Sequence, residues 1–473
     1  MNPILEFLKF GLLIYFGVYA VYAIGTALFS KRLMKKIHNR SVPDVSSFTN
    51  IPLTIIVPSY NEAMVIRDTL RNLMHQKYPL YEIIVVNDGS TDDTMKILTD
   101  DFQLDAYIPP PKKHFNLKTT DIRGIYVSRT ELPDNVSRII VIDKDNGGKA
   151  DSFNAALNIT QSEYVVTVDA DTVLIPTALI ELMTPVFLDP SVVAVGAQVG
   201  VMNNSEIDVN GNVTNIKLPR KWLQGVQALE YMKTFMIYRT GHNSAGATLL
   251  ISGACGLFRT TLLTGLCGFD KNSVCEDIEM TMRIQNHIRK LNGKQKVDFV
   301  VNPIAWTEVP STLSSLNKQR NRWYRGASHA LWKFKGMIFN PKMGSVGFFS
   351  VPAYWLFGYL TPFTQLLLSS FLILELINMR SFHELGALIV LGVVVAIIIN
   401  MLTISMMKYT STPTKSLADK GRLFWYGILE MFFVQPIYMC INLKAAFDAV
   451  RGNRSWNKFA RTGYNHTKDG SNA

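Results

Sequence analysis

Apolar positions along this chain fall into three patterns. Residues 4–29 (ILEFLKFGLLIYFGVYAVYAIGTALF) form a nearly unbroken apolar run, long enough as a helix to cross a bilayer. Between 48 and 345, shorter runs rich in β-branched residues end in polar turns: LTIIVPSYNE (53–62), YEIIVVNDGSTDD (81–93), RIIVIDKDNGGK (138–149) and YVVTVDADT (164–172). Helical patterns at 62–75, 92–101 and 149–160 separate them. Buried strands alternating with helices predict an α/β fold with a mainly parallel sheet, whose ligands gather at the carboxyl ends of the strands. From 347 to 443 the chain is apolar again, with spans expected within 349–377 and at 385–407 and 423–443. Two polar stretches, 102–137 and 201–219, are expected as surface insertions able to shape a substrate lid.

Charge adds a topological reading. The chain of 473 residues has a net charge of +11, 48% hydrophobic residues and 18% charged ones, which excludes a disordered protein. The segments 31–40, 408–422 and 444–473 carry +5, +3 and +4, leaving the rest near neutral. Positive charge flanking apolar runs marks cytoplasmic ends of membrane spans rather than a nucleic-acid face. The N-terminus is then outside and residue 31 onward cytoplasmic. No A-x-A-like site follows the first run, so it is expected to remain as an anchor. Three crossings after a cytoplasmic domain would put the basic tail outside. A cytoplasmic tail instead needs a hairpin or partly interfacial segment within 347–377. Four cysteines without CxxC spacing exclude a disulfide framework and a zinc cage.

The chemistry-bearing candidates are carboxylates. Asp88 sits in NDGSTDD, Asp169 and Asp171 form an Asp-x-Asp, Asp143 and Asp145 precede a Gly-Gly-Lys turn, and Glu276-Asp277 opens a helical pattern. Each has an ordinary explanation: a β-turn, a surface pair, or acidic residues at a helix start. Asp88 and Asp169, however, end strands of one expected sheet and should share a crevice. An Asp-x-Asp there offers oxygen ligands to Mg²⁺ or Mn²⁺, which neutralises a diphosphate leaving group. Downstream, 311–335 reads as an amphipathic interfacial helix with Leu313, Leu316, Trp323, Ala327, Leu331 and Phe334 on one face. Lys318, Arg325 and Lys333 are expected on its polar side. Gln319, Arg322 and Trp323 fall at i, i+3 and i+4, on one patch. Trp323 could stack on a sugar ring while Arg322 faces diphosphate charge.

PSYNE (58–62), NDGSTD (87–92), NGGKADSFNAAL (146–157), VDADT (168–172), SGACGLFR (252–259), EDIEM (276–280) and QRNRW (319–323) together resemble the membrane-embedded family-2 glycosyltransferases, the group of cellulose, chitin and poly-N-acetylglucosamine synthases. The resemblance implies a GT-A type nucleotide-sugar-binding domain at 48–310. It places an N-terminal transmembrane helix at 1–30, a basic cytoplasmic linker at 31–47, interfacial helices at 311–345, a transmembrane bundle at 346–445 and a basic tail at 446–473. By the same resemblance Tyr60, Glu62 and Asp88 hold the uridine, with Lys149 near the donor. Asp169 and Asp171 contact the diphosphate and the metal, Mg²⁺ or Mn²⁺. Asp277 is the general base, Glu276 a positioning residue, and Gln319, Arg322 and Trp323 serve acceptor and diphosphate. The implied activity is processive, inverting polymerisation of UDP-GlcNAc or UDP-glucose into a β-linked polysaccharide coupled to its translocation. A non-processive transferase acting on a membrane lipid is the alternative. Implied partners are the UDP-sugar donor, the growing polysaccharide, the lipid bilayer of the cell membrane, and accessory export or regulatory subunits, with no nucleic acid. A tail of about thirty residues is too short for a cyclic-dinucleotide-binding barrel, so regulation of that kind is not implied. Cysteines in SGACGLFR are expected as small packing groups.

Overall fold

The computed structural model describes residues 3–38, 43–377, 383–410, 416–452 and 465–466. Most of the basic tail beyond Gly452 therefore lies outside the described residues. Two compact units emerge, one of Met1–Asn39, Lys221–Ala247 and Pro310–Phe459, the other of Arg40–Arg220, Thr248–Val309 and Ala460–Ala473.

The first unit is helical. It begins with α1 (Pro3–His38), whose apolar stretch matches the expected anchor. In the second unit, strands and helices follow in the order β1 (Leu53–Ser59), α2 (Ile66–Met74), β2 (Tyr81–Asp88), α3 (Thr94–Phe102), β3 (Leu104–Ala106), β4 (Ile122–Ser128), β5 (Val136–Lys144), α4 (Lys149–Ile159), β6 (Tyr164–Val168), β7 (Thr172–Leu174), α5 (Ala178–Leu188), β8 (Val192–Val201), β9 (Glu206–Ile207) and β10 (Val213–Asn215). The chain returns to the helical unit for α6 (Trp222–Lys233) and α7 (Thr240–Ser244), then re-enters the α/β unit as β11 (Cys255–Arg259), α8 (Thr260–Gly265), α9 (Glu276–Lys290) and β12 (Lys296–Thr307).

Ten strands make one sheet in the order β3-β4-β5-β2-β1-β6-β11-β8-β12-β7. Its centre, β5-β2-β1-β6, is parallel, as β-branched runs buried on both faces require. The flanks bring in antiparallel pairs, β4 against β5 and β11 between β6 and β8, while β12 beyond runs parallel to β8. The sheet is thus mixed, with its parallel centre where the site lies. Ile56, Ile84, Val86, Ile140 and Ile142 pack against Phe153 and Leu157 of α4 and Met280 and Ile284 of α9 in one core. Each such side chain contributes roughly 1.5–3 kcal/mol on leaving water. The stretch 102–137 is no mere insertion, because β4 and, outside it, the short edge strand β3 extend the sheet. The stretch 201–219 folds into the short β9-β10 pair, to which Asn465–His466 adds a strand. Trp306, which has no role assigned from the sequence, is core: it packs with Val173, Met202 and Ile207.

The helical unit continues with α10 (Leu313–Lys333) and later helices. Glu6–His38, Gly386–Tyr409 and Leu417–Val450 are long and apolar enough to cross a membrane. A further pair, Val346–Tyr359 and Thr361–Leu374, bends by 44° at a break and makes up to four spans if counted as one. The expected irregularity within 347–377 is therefore a bend. Arg325 differs from its expected place on the polar face of α10. It is buried, and its Nε donates to Asn321 Oδ1 one turn earlier at 2.8 Å, so a hydrogen-bonded partner offsets its burial.

Candidate active site

The loops after β1 and β2 are stitched to each other. Asn61 takes a left-handed conformation (φ 54°), and its Oδ1 accepts from Thr91 N at 2.7 Å. Asn61 N donates to Ser90 Oγ at 3.0 Å and Glu62 N to Thr94 Oγ1 at 2.8 Å. Short polar side chains are needed here because they return hydrogen bonds to a nearby backbone. The result fixes Tyr60 and Glu62, both half-buried, beside the NDGSTD turn. Gly89 carries φ 68°, and a Cβ on it would lie 2.8 Å from Asn146 N, so the turns after β2 and β5 touch through a residue without a side chain.

Asp88, at the end of β2, faces the turn after β5. Its Oδ1 accepts from Gly147 N at 2.9 Å and its Oδ2 from Gly148 N at 2.8 Å. Lys144 Nζ donates to the same Oδ1. Asn146 Nδ2 donates to the Asp88 carbonyl at 2.8 Å. Lys144 is wholly buried and also pairs with Asp151 Oδ2 at 2.9 Å. Asp151 in turn accepts from Thr120 N and Thr120 Oγ1 and pairs with Lys271 at 3.1 Å. Burial alone would raise the Asp151 carboxyl; the bonds from Lys144, Thr120 and Lys271 outweigh it and hold the group below its usual range. Nothing in the sequence distinguishes Lys144 from the charged residues beside it. Asp143 and Asp145 have a more local part: both pair with Arg123, at 2.9 and 3.7 Å.

That turn launches α4, and with it Lys149. Its Nζ lies 2.6 Å from Asp169 Oδ1 and 3.0 Å from Glu276 Oε1, and donates to Gly253 O at 3.2 Å. Burial would lower its affinity for a proton, but Asp169 and Glu276 more than reverse this, so it stays charged. Asp277 Oδ2 accepts from Gly253 N at 3.2 Å, and its Oδ1 from Ile278 N at 2.8 Å, at the start of α9. Gly253 is the hub. A Cβ there would lie 2.9 Å from Lys149 Nζ and 3.5 Å from both Asp277 Oδ2 and Glu276 Oε1. Three charged side chains pack closely around this one backbone, so a side chain added here would have to displace the Lys149 ammonium. Cys255 beside it is buried, and burial pushes its thiol up to about 12, which fits a packing group.

Asp169 and Asp171 sit in the turn between β6 and β7, the first partly exposed and the second buried. Among the described residues no three His, Cys, Asp or Glu side chains gather as a metal cage. An all-oxygen pair nevertheless suits Mg²⁺ or Mn²⁺, which completes its shell with water and substrate phosphates.

The structure thus brings Lys149, Asp169, Glu276 and Asp277 together, with Asp88 joined to them through the turn that carries Lys149. Tyr60 and Glu62 stand on the neighbouring stitched loop. Gln319, Arg322 and Trp323 belong to α10 in the helical unit. There Gln319 is buried, while Arg322 and Trp323 are partly exposed.

Residues 54–120 match the family described as Glycosyl transferase family 2, and residues 123–326 the one described as Glycosyltransferase like family 2. The chain is 25% identical over 324 residues to a poly-beta-1,6-N-acetyl-D-glucosamine synthase of Staphylococcus epidermidis, covering 68% of this chain and 66% of that one. It is 28% identical over 320 residues to the Staphylococcus aureus protein of the same name, covering 67% of this chain and 63% of that one. The chain therefore spans just under two thirds of the length of these curated relatives. Among solved structures, a mannosyltransferase from Pyrobaculum calidifontis in complex with GDP-Man and Mn²⁺ superposes with a TM-score of 0.52 at 18% identity, over 93% of this chain and 99% of that one. That likeness establishes the shared α/β architecture.

Proposed function

Because the chain belongs to glycosyltransferase family 2, we propose that it is an inverting, processive transferase that polymerises a UDP-hexose, UDP-GlcNAc or UDP-glucose, into a β-linked polysaccharide at the cell membrane. The observation that carries this reading is Lys149 bridging Asp169 and Glu276. One ammonium joins the carboxylate suited to the leaving group and the one beside the base. Asp277, with Oδ2 fixed by Gly253 N, removes the proton from the acceptor hydroxyl. The freed oxygen attacks the anomeric carbon, the bond to UDP breaks, and a UDP-α-sugar yields a β-linkage. Glu276 positions Lys149, and Lys149 meets the diphosphate charge. Asp169 and Asp171 would hold Mg²⁺ or Mn²⁺, which when bound supplies positive charge to the leaving group. Tyr60, Glu62 and Asp88 serve the nucleoside side, Asp88 by holding the turn that presents Lys149. Gln319, Arg322 and Trp323 serve the acceptor and diphosphate.

The poly-beta-1,6-N-acetyl-D-glucosamine synthase relatives favour N-acetylglucosamine as the unit. The long apolar helices support a multi-pass protein, and the basic segment 31–40 supports a cytoplasmic catalytic unit. With the bent pair re-entrant, two crossings follow it and return the basic tail to the cytoplasm. Membranes incubated with a panel of UDP-sugars and Mg²⁺ or Mn²⁺ should yield a polymer cleaved by a linkage-specific hydrolase, and chelation should stop it. A lipid-linked product of fixed mass would replace polymerisation with single-sugar transfer.

A further inference from the structure

The Q-x-x-R-W stretch contains two arginines, and only Arg322 was singled out by its pattern. The other, Arg320, is embedded. Its side chain is 11% exposed, and its guanidinium grips Glu230 of α6 with both forks, Nη1 to Oε1 and Nη2 to Oε2, the second at 2.8 Å. Tyr438 O–H donates to the same Glu230 Oε2 at 2.9 Å. The guanidinium carbon lies 4.8 Å from the centre of the Trp323 ring and 4.7 Å from that of Tyr438. Tyr231, next to Glu230 in sequence, brings its ring to 6.5 Å from Trp323. Three distant stretches of chain therefore converge on the guanidinium that lies against this indole.

A bidentate carboxylate fixes the plane of a guanidinium as well as its position. With Glu230 matching its charge, Arg320 is committed within the protein and unsuited to receive a phosphate. What it offers is a flat, immobile cation against an aromatic face. Arg320 and Trp323 lie three residues apart on α10, so the helix alone sets them side by side. Trp323 remains partly exposed, so its ring can still receive a ligand.

We infer that Arg320, clamped by Glu230 and Tyr438, is the positioning residue that orients Trp323 for the acceptor sugar. The inference rests on the polymerising reading for the identity of the ligand, but the orientation of the ring stands on the contacts themselves. A loosened indole would weaken acceptor capture and leave donor binding intact.

The test uses the full-length protein in detergent. Arg320→Gln should raise the acceptor-oligosaccharide KM by about tenfold or more with donor KM changed less than about twofold, while Arg320→Lys, which keeps the charge but not the fork, should recover part of the loss. Tyr438→Phe, which removes one hydrogen bond to Glu230, should raise acceptor KM by about threefold. Product chains should shorten in the same order. Independently of catalysis, the fluorescence lost on Trp323→Phe isolates this indole, and its quenching by acrylamide should increase in the Arg320 variants. If Arg320→Gln does not fold, Arg320→Lys and Tyr438→Phe decide. Unchanged quenching, or donor and acceptor KM rising together, would overturn the assignment. A wild-type protein that transfers no sugar would sink the polymerising reading alone, because the quenching result still decides whether Arg320 orients Trp323.

Discussion

Lys144 Nζ lies 2.9 Å from Asp151 Oδ2, and neither side chain reaches solvent. The ammonium also serves Asp88, so one buried cation holds two carboxylates, one ending β2 and one in the first turn of α4. Lys144→Met would leave those carboxylates buried without their shared counter-charge. The expected cost is about 3–5 kcal/mol, as for other buried pairs broken from one side. Thermal unfolding in detergent measures it, and UDP affinity should fall with it as the turn at 147–148 loosens.

The same cluster sets an acid limit. Asp151 is held below its reference value of 3.8 in the fold, so the unfolded chain binds its proton more readily. Its contribution to stability is complete above about pH 4 and is lost as pH falls through the lowered value. Denaturant unfolding followed from about pH 6 to about pH 3 should show stability declining at the acid end. Asp151→Asn should lower stability at neutral pH and flatten that decline.

Asp277→Asn keeps the shape of the side chain and removes its basicity. Turnover should drop by roughly 10²–10⁴-fold, the range of a lost general base. Binding of UDP, followed by titration calorimetry, should stay near wild type. Turnover unchanged from wild type would remove Asp277 from the role of base.

Gly253→Ala probes crowding at the hub. The new methyl would stand 2.9 Å from Lys149 Nζ, the end of a flexible side chain, so the fold should lose less than about 1 kcal/mol. Displacing that ammonium from Asp169 and Glu276 should nonetheless lower kcat/KM for the donor roughly tenfold. Steady-state kinetics against a thermal melt separates the two effects.

The parallel centre of the sheet was legible because β1, β2, β5 and β6 are apolar runs closed by polar turns. Strand β4 (IRGIYVS), next to the edge, was not, since its side chains are mostly half-buried and its pattern is mixed. Strand β11 hid inside SGACGLFR, where small residues mask a strand that is buried along most of its length. The carboxylates of the site stood out through their positions after strands and at a helix start. Lys144 did not, because a lysine between two aspartates reads as a solvated charge, and its partners Asp88 and Asp151 come from β2 and α4. Arg325 misled for a similar reason: helical spacing places a residue on a face but does not say what covers that face. Arg320 escaped notice because Glu230 and Tyr438 lie about a hundred residues away on either side.

The turn after β5 is held in shape by the protein's own groups, since Asp88 accepts from the amides of Gly147 and Gly148 and Lys144 anchors Asp88 from beneath. Little ordering of that loop is left to do when a nucleotide sugar arrives, so little of the interaction free energy is consumed in building the seat. Donor capture should therefore be rapid, with little closure of this loop to wait for.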